Sequence, residues 1–367
     1  MVCVLFLVVW LNRENLAPDR VVGWIEDQFL GMSVGEGYPT PVVGSKVIDG
    51  NVQMMEGDLA VVSDTSLVVL NGTAKEIANR QHSFGSPVLK VGGGNAMLYN
   101  LGGKGIQLES KSKSLYKATL SNNVLAGAVS AKGVYAVATE SKGYMCELAV
   151  YSNKYSKKMQ DDLLYQYYFS EYLITDIEMS SDGKTAAAVG VTAKNGAIQS
   201  VVYLFAFDKE EPALFVEIKD NMLMDVEFLT NGSLAVVGDK GMAVVTASGD
   251  KKETSFGAKT LVTYSVSQNG GVALALSGTS DGRDCELLVV DEGGNEKARV
   301  QTGDKIISVD YRGNVIAALH GGQIDAYTLN GKIKGTAQAG ADAKVIKLSS
   351  EQNAYVLGIS EIRSVRL

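Results

Sequence analysis

Ile306-Ile-Ser-Val-Asp310, Arg312-Gly313-Asn314, Val315-Ile-Ala-Ala-Leu319, Gly321-Gly322, Gln323-Ile-Asp-Ala-Tyr-Thr-Leu329, Asn330-Gly331 and Lys332-Ile-Lys-Gly-Thr-Ala337 follow one another with only Tyr311 and His320 between them. Four short apolar or alternating segments are set apart by glycine-rich breaks. Alternation places successive side chains on opposite faces of a strand. Asn-Gly supplies the positive φ angles that a tight hairpin needs. The stretch therefore reads as a four-stranded antiparallel unit.

The same grammar recurs outward from it. Val52–Glu56, Gly57-Asp58, Leu59–Val62, Ser66–Leu70 and Asn71-Gly72 make one copy. Others open at Val88–Val91 with Gly92-Gly93-Gly94, and at Val124–Ser130 with Lys132-Gly133. Further copies open at Ile174–Ser180 with Asp182-Gly183, at Met224–Leu229 with Asn231-Gly232, and at Leu261–Ser267 with Asn269-Gly270. The first-turn glycines, at 57, 94, 133, 183, 232, 270 and 313, lie about 37–50 residues apart. That is the length of one blade of a β-propeller. The last stretch, Lys344–Leu367, holds only three strands, and Pro41–Lys46 supplies a fourth from the other end of the domain. The ring is thus all-β and closes by pairing its N- and C-terminal strands, with eight blades, or seven if one unit is miscounted. A two-sheet sandwich fits less well, because it has no reason to repeat a four-strand unit at even intervals.

Composition agrees. Of 367 residues, 46% are hydrophobic and 20% charged; glycine is abundant at 40 and proline scarce at 5. Such a chain can bury a core and make many tight turns. The net charge of −7 disfavours a nucleic-acid partner, which requires a basic face. Lys111, Lys113 and Lys117 form the only local basic run and read as a solvated edge strand. Cys146 and Cys285 stand in matching Cys-Glu-Leu contexts on different repeats, too far apart to bridge.

The chain divides into three parts. Residues 2–11, Val-Cys-Val-Leu-Phe-Leu-Val-Val-Trp-Leu, are apolar and read as a membrane anchor within residues 1–11. They are about half the roughly 20 residues a span needs, which suggests a longer natural N-terminus. A linker over 12–36 carries a short amphipathic helix over 18–30, with Pro18 and Asp19 in its first turn. The propeller occupies 37–367. The expectation is a single-pass protein of the cell membrane with its propeller on the extracytoplasmic side.

Propeller connectivity sorts the loops. First-to-second and third-to-fourth turns share one face; second-to-third loops share the other with the crossings between blades. Variable loops on a rigid scaffold are where such domains bind. Candidate binding residues on that second face are Glu140, Lys142, Tyr144, Lys194, Asn195, Asp239, Lys240, Asp281, Arg283 and His320. The sequence shows the loops Glu140–Tyr144, Val191–Gly196 and Gly278–Asp284 as the longer, variable ones. An aromatic run, Tyr165, Tyr167, Tyr168 and Tyr172, is a second candidate surface for protein or glycan.

Chemistry is sparse. The two histidines, His82 and His320, sit in distant repeats, with no Ser or Cys motif beside them. The glycine clusters do not join a strand to a helix, so they are not phosphate loops. No cofactor or metal is implied, and no catalytic residue is assigned. The expectation is a non-enzymatic module binding an envelope protein or a cell-envelope glycan. The rival is an extracytoplasmic hydrolase or lyase acting on a glycan through acidic residues at the propeller mouth. Two carboxylates about 5–10 Å apart in the axial pocket would favour the rival, and a flat, uncharged mouth the first.

The apolar start, the Gly35-Glu-Gly-Tyr-Pro39 segment and the repeated apolar-turn-apolar units with Asn-Gly closures resemble those of an uncharacterised family of Gram-positive bacterial proteins. In that family one N-terminal membrane span precedes a WD-like or quinoprotein-like propeller. Trp10 and Trp24 are the only tryptophans and both precede the repeats. Neither the Trp-Asp signature of WD repeats nor the tryptophan docking motif of quinoproteins is therefore present. The resemblance implies no established activity.

Overall fold

The computed structural model describes residues 33–367. The apolar segment 2–11 and the helix expected over 18–30 lie outside the described residues. Among the described residues no helix is long and apolar enough to cross a membrane.

Eight four-stranded antiparallel sheets follow one another around a ring. Their innermost strands are Val47–Met55, Pro87–Gly92, Val124–Val129, Leu173–Met179, Leu223–Phe228, Thr260–Ser267, Ile306–Arg312 and Val345–Ser350. These define blades one to eight in that order. Seven blades run inner strand to outer strand in sequence. Blade eight takes its outer strand from Thr40–Pro41, which pairs with Ile362 and Glu361. The closing strand is thus shorter than the Pro41–Lys46 read from sequence. Val42 still donates to the Ser360 carbonyl, but 43–45 bend away to start blade one.

The hydrophobic cores lie between blades. Second and third strands are buried on both faces: Leu59–Val62, Ala186–Val189, Val272–Leu276 and Val315–Leu319 are all apolar and buried. This explains the continuous apolar runs in those segments. Eight clusters bridge neighbouring blades, among them one joining blade one (Val52, Leu59, Val61) to blade eight (Val345, Tyr355, Leu357, Ile362). Ring closure therefore rests on side-chain packing as much as on the two-residue strand.

Several readings need correction. Val191–Lys194 is not loop: the second strand of blade four runs from Thr185 to Lys194 and turns at Asn195-Gly196. The period-two pairing simply continues past the ring surface as a long hairpin. Lys111 is not solvated; it is buried, with Nζ 2.8 Å from Asp58 and 2.9 Å from the Glu56 carbonyl of the neighbouring blade. Cys146 and Cys285 are free and buried.

Candidate functional site

Each inner strand has one edge paired within its blade and one edge turned to the axis. Unpaired N–H groups there need acceptors. Side chains from the preceding blade supply them. Asn51 accepts from the Leu89 N–H, Asp176 from Val226, Ser265 from Tyr311, Ser308 from Ile346 and Asp310 from Leu348. This accounts for polar residues within otherwise apolar strands.

A bulge interrupts the register of five inner strands at the same place, at Leu125, Thr175, Met224, Val262 and Ile307. A bulge adds one residue and re-aims the side chains around it. The bulges lie toward the face of the second-to-third loops, and two of the bulged residues, Met224 and Val262, line the channel. The next residues, including Asp176, Asp225 and Ser308, form a polar ring below them. Two residues further along lie Glu178, Glu227, Ser265 and Asp310.

The axis is a cavity of about 1420 Å³, lined by Ile48, Asp49, Lys90, Glu178, Asp225, Glu227, Tyr264, Asp310 and Lys347 among others. Lys90 Nζ lies 2.9 Å from one Asp176 oxygen, 3.0 Å from the other and 4.0 Å from Asp225. Lys347 Nζ lies 2.9 Å from Asp310. Asp49 reaches toward Ser308 at 3.5 Å. Six carboxyls, Asp49, Asp176, Glu178, Asp225, Glu227 and Asp310, thus face two lysines. No hydrogen bond or ion pair within the described residues engages the side chains of Glu178 and Glu227.

Burial and mutual repulsion set the protonation of this cluster. Burial raises Glu227 to about 7, with Asp225 adding to the rise. It raises Glu178 well above its usual range, with Glu227 adding. Asp49 and Asp176 are raised too, Asp176 against the pull of Lys90. Burial works against the Lys90 ammonium, yet Asp176, Asp225, Glu178 and Glu227 hold its pKa well above normal. The short Lys90–Asp176 contact and the Val226 N–H favour an ion pair there. Burial and mutual repulsion thus hold protons on this cluster near neutrality, with Glu178 and Glu227 among the groups that carry them.

The mouth is accordingly neither flat nor uncharged, so this criterion does not favour the binding reading. Two carboxylates, Asp176 and Asp225, do converge within reach of one lysine. They are also structural, because an ammonium lies between them and Asp176 holds the Val226 N–H.

The topology puts the ten loop candidates at the second-to-third loop face but distributes them over five blades. Glu140, Lys142 and Tyr144 belong to blade three, and Lys194 and Asn195 to blade four. Asp239 and Lys240 belong to blade five, Asp281 and Arg283 to blade six, and His320 to blade seven. Glu140 accepts from Asn123, and Lys194 pairs with Glu171 at 3.4 Å. Asp239 caps the Met222 N–H at 2.7 Å, and Lys240 N–H donates to Asn221. Asp281 pairs with Arg283 at 3.3 Å. His320 lies between Asp325, 2.9 Å from Nε2, and Asp304, 3.3 Å from Nδ1.

The aromatic run does not form one surface. It lies on the outer strand Leu163–Phe169, whose alternation sends Tyr165, Tyr167 and Phe169 toward blade four. Tyr165 and Tyr172 are buried, and Tyr172 donates to Glu217 at 3.0 Å. Only Tyr168 faces outward, its ring tilted against the exposed Tyr144 with centroids 4.9 Å apart.

Among the described residues, fifteen large hydrophobic side chains are exposed. Eleven stand on the second-to-third loop face: Val43, Ile48, Leu101, Tyr144, Met145, Tyr168, Ile198, Met222, Met224, Ile307 and Ile359. Val34, Leu164, Phe215 and Ile333 lie elsewhere. The tight-turn face instead receives the incoming chain. Ser33, Gly35, Gly37 and Tyr38 hydrogen-bond around Asn71 and Thr73 in a third-to-fourth turn of blade one.

Solved structures share the fold at low identity. The C-terminal WD40 domain of Sif2 superposes with a TM-score of 0.61 at 13% identity, covering 91% of this chain and 99% of that one. BamB from Moraxella catarrhalis gives 0.56 at 12%, covering 90% and 100%. Sqt1 from Saccharomyces cerevisiae gives 0.58 at 12%, again 90% and 100%. At such identities the likeness is one of architecture. No curated protein matches the sequence. The model of one protein family spans residues 32–367, and the chain belongs to that family, described as "Family of unknown function (DUF5711)".

Proposed function

We propose that this chain is a non-enzymatic binding module that meets a protein of the cell envelope with its second-to-third loop face. The carrying observation is the concentration of exposed apolar side chains on that one face. Exposed patches of this kind favour association when a partner removes them from water. The described residues reach the propeller from the opposite, tight-turn face. A tether at residues 2–11 would therefore leave the apolar face directed away from the membrane, on its outer side. Extended aliphatic and methionine surface suits a protein better than a glycan, which is gripped mainly by aromatic planes and hydrogen bonds. Among the described residues, the exposed Tyr144–Tyr168 pair suits a sugar ring.

The test is photo-crosslinking in intact cells. A photoreactive residue at Met224, Ile307 or Ile359 should capture one protein. The same residue at Thr230 or Asn330, on the tight-turn face, should capture none. Equal capture from both faces would refute the reading. Membrane fractionation, with digestion of the propeller by protease added to protoplasts, tests the tether and its sidedness. The hydrolase reading keeps one specific observation, the convergence of Asp176 and Asp225. Release of reducing sugar from cell-wall material, lost in Asp225→Asn, would restore it.

A further inference from the structure

The loop-face mouth combines two features that separately say little. Met224 on blade five, half-buried Val262 on blade six and Ile48 on blade one line the cavity, and Ile307, exposed at the bulge of blade seven, stands on the same face, so apolar side chains from around the ring meet the mouth. Directly below it the channel turns acidic. Lys90 is committed to Asp176, and Lys347 to Asp310. Asp225, Glu178 and Glu227 stand around the axis with no cation among the described residues closer than the 4.0 Å from Lys90 to Asp225. An apolar collar over a well with surplus carboxylate is complementary to a cation carried on an apolar stem. It is poorly matched to a hydrated metal ion, and among the described residues no acidic or histidine cluster has metal-holding geometry.

Resting on the loop-face reading above, we propose that the partner is a polypeptide that inserts one lysine or arginine into this mouth and seats flanking apolar residues on Ile48, Met224, Val262 and Ile307. The stem of the inserted residue lies against the collar while its charged head reaches Asp225 and, deeper, Glu227 and Glu178. The entering charge offsets carboxylate repulsion that otherwise keeps protons on the well. Binding therefore releases protons and tightens as pH rises from 6 to 8. A neutral side chain of equal length would leave those carboxyls buried against apolar surface without a counter-charge, so discrimination against it is strong.

The test uses the full chain in detergent micelles and a phage-displayed library of random peptides. Enriched peptides should carry one lysine or arginine with large apolar residues within two positions. Replacing that basic residue by norleucine should weaken a synthetic peptide's binding at least tenfold. Glu227→Gln, which keeps the side chain's shape, should weaken it several-fold, and Ile307→Asp at least tenfold. Thermal melting of each variant separates lost binding from lost folding. Peptides that need Ile307 and Met224 but no basic residue overturn this inference and leave the loop-face reading standing. Peptides indifferent to Ile307→Asp and Met224→Asp overturn both. Failure to enrich any peptide, or a basic residue whose effect survives both Glu227→Gln and Glu178→Gln, overturns the inference.

Discussion

Lowering the pH from 8 to 5 should stabilise this protein, and Glu227 carries the effect. Its carboxyl titrates at about 7 in the fold against 4.5 for a free side chain, because burial and the neighbouring Asp225 disfavour its charge. The folded state thus holds a proton that the unfolded chain has released throughout the window between those values. Stability must fall as pH rises across it and level off above about 7. One pKa unit corresponds to about 1.4 kcal/mol, so the 2.5-unit gap amounts to about 3 kcal/mol. Unfolding entropy of about 2.1 cal/mol/K per residue gives about 0.7 kcal/mol/K for residues 33–367, hence a Tm about 4 °C lower at pH 8 than at pH 5. Glu178, Asp176 and Asp49 are shifted the same way and add to the slope. Carboxylates held below their usual range, such as Asp182 and Asp291, lose their contribution only below about pH 4 and do not enter this window. His82, lowered by burial from 6.5, contributes the opposite slope below that value. Comparing wild type with Glu227→Gln cancels it. Melting curves at pH 5, 6, 7 and 8 should show the Glu227→Gln profile flatter than wild type. Parallel profiles, or a wild-type Tm that climbs more steeply with pH than the variant's, would refute the assignment of the channel proton to Glu227.

Three further outcomes are expected. Glu286 is buried in blade six, bonded to Lys259, Arg299 and Gln301. Glu286→Ala should cost about 1–3 kcal/mol by urea unfolding, because the two cations are partly exposed and rehydrate once freed. Gly92 lies where an added Cβ would stand 2.0 Å from the Val129 carbonyl of blade three. Gly92→Ala should therefore destabilise by about 1–3 kcal/mol, while Gly278→Ala, with nothing within 4 Å, leaves the melting point unchanged. Cys146, its thiol pushed to about 11 by burial, and the buried Cys285 should stay unreacted with a thiol reagent until denaturant is added. Fast labelling of either in the native protein would show that its blade opens locally.

The ring was legible because each blade repeats one local code: an apolar strand, a turn glycine, a second apolar strand. Seven first-turn glycines set the period, and of these Gly57, Gly133, Gly183, Gly232 and Gly313 take positive φ. What escaped was governed by contacts between blades. Residues 43–45 look like strand continuation, yet Gly44 takes φ of 93° and the chain turns there toward blade one. Tyr165 and Tyr168 are alike in sequence, yet strand alternation buries one against Phe205 and leaves the other in solvent. Lys111 belongs to a lysine-rich segment, yet the adjoining blade brings Asp58 to it.

The acidic channel was written in the chain in a form easy to overlook. Thr175-Asp-Ile-Glu178 and Met224-Asp-Val-Glu227 place two acids at an i, i+2 spacing just before the first turn of consecutive blades. Within an apolar strand that spacing directs both acids to one side. In a propeller's inner strand, that side is where the axis-facing edge of the next blade needs acceptors. Asp176 meets such a need, whereas among the described residues Glu178, Glu227 and Asp225 accept no neighbouring N–H. Edge capping therefore explains one acid of the four, and Asp225 sits by the Lys90 ammonium and the Tyr264 hydroxyl. Glu178 and Glu227 are surplus to this bonding, and a stable fold gains nothing from burying carboxyls that repel one another. Their presence directly under an apolar collar is understandable if the missing counter-charge arrives from outside.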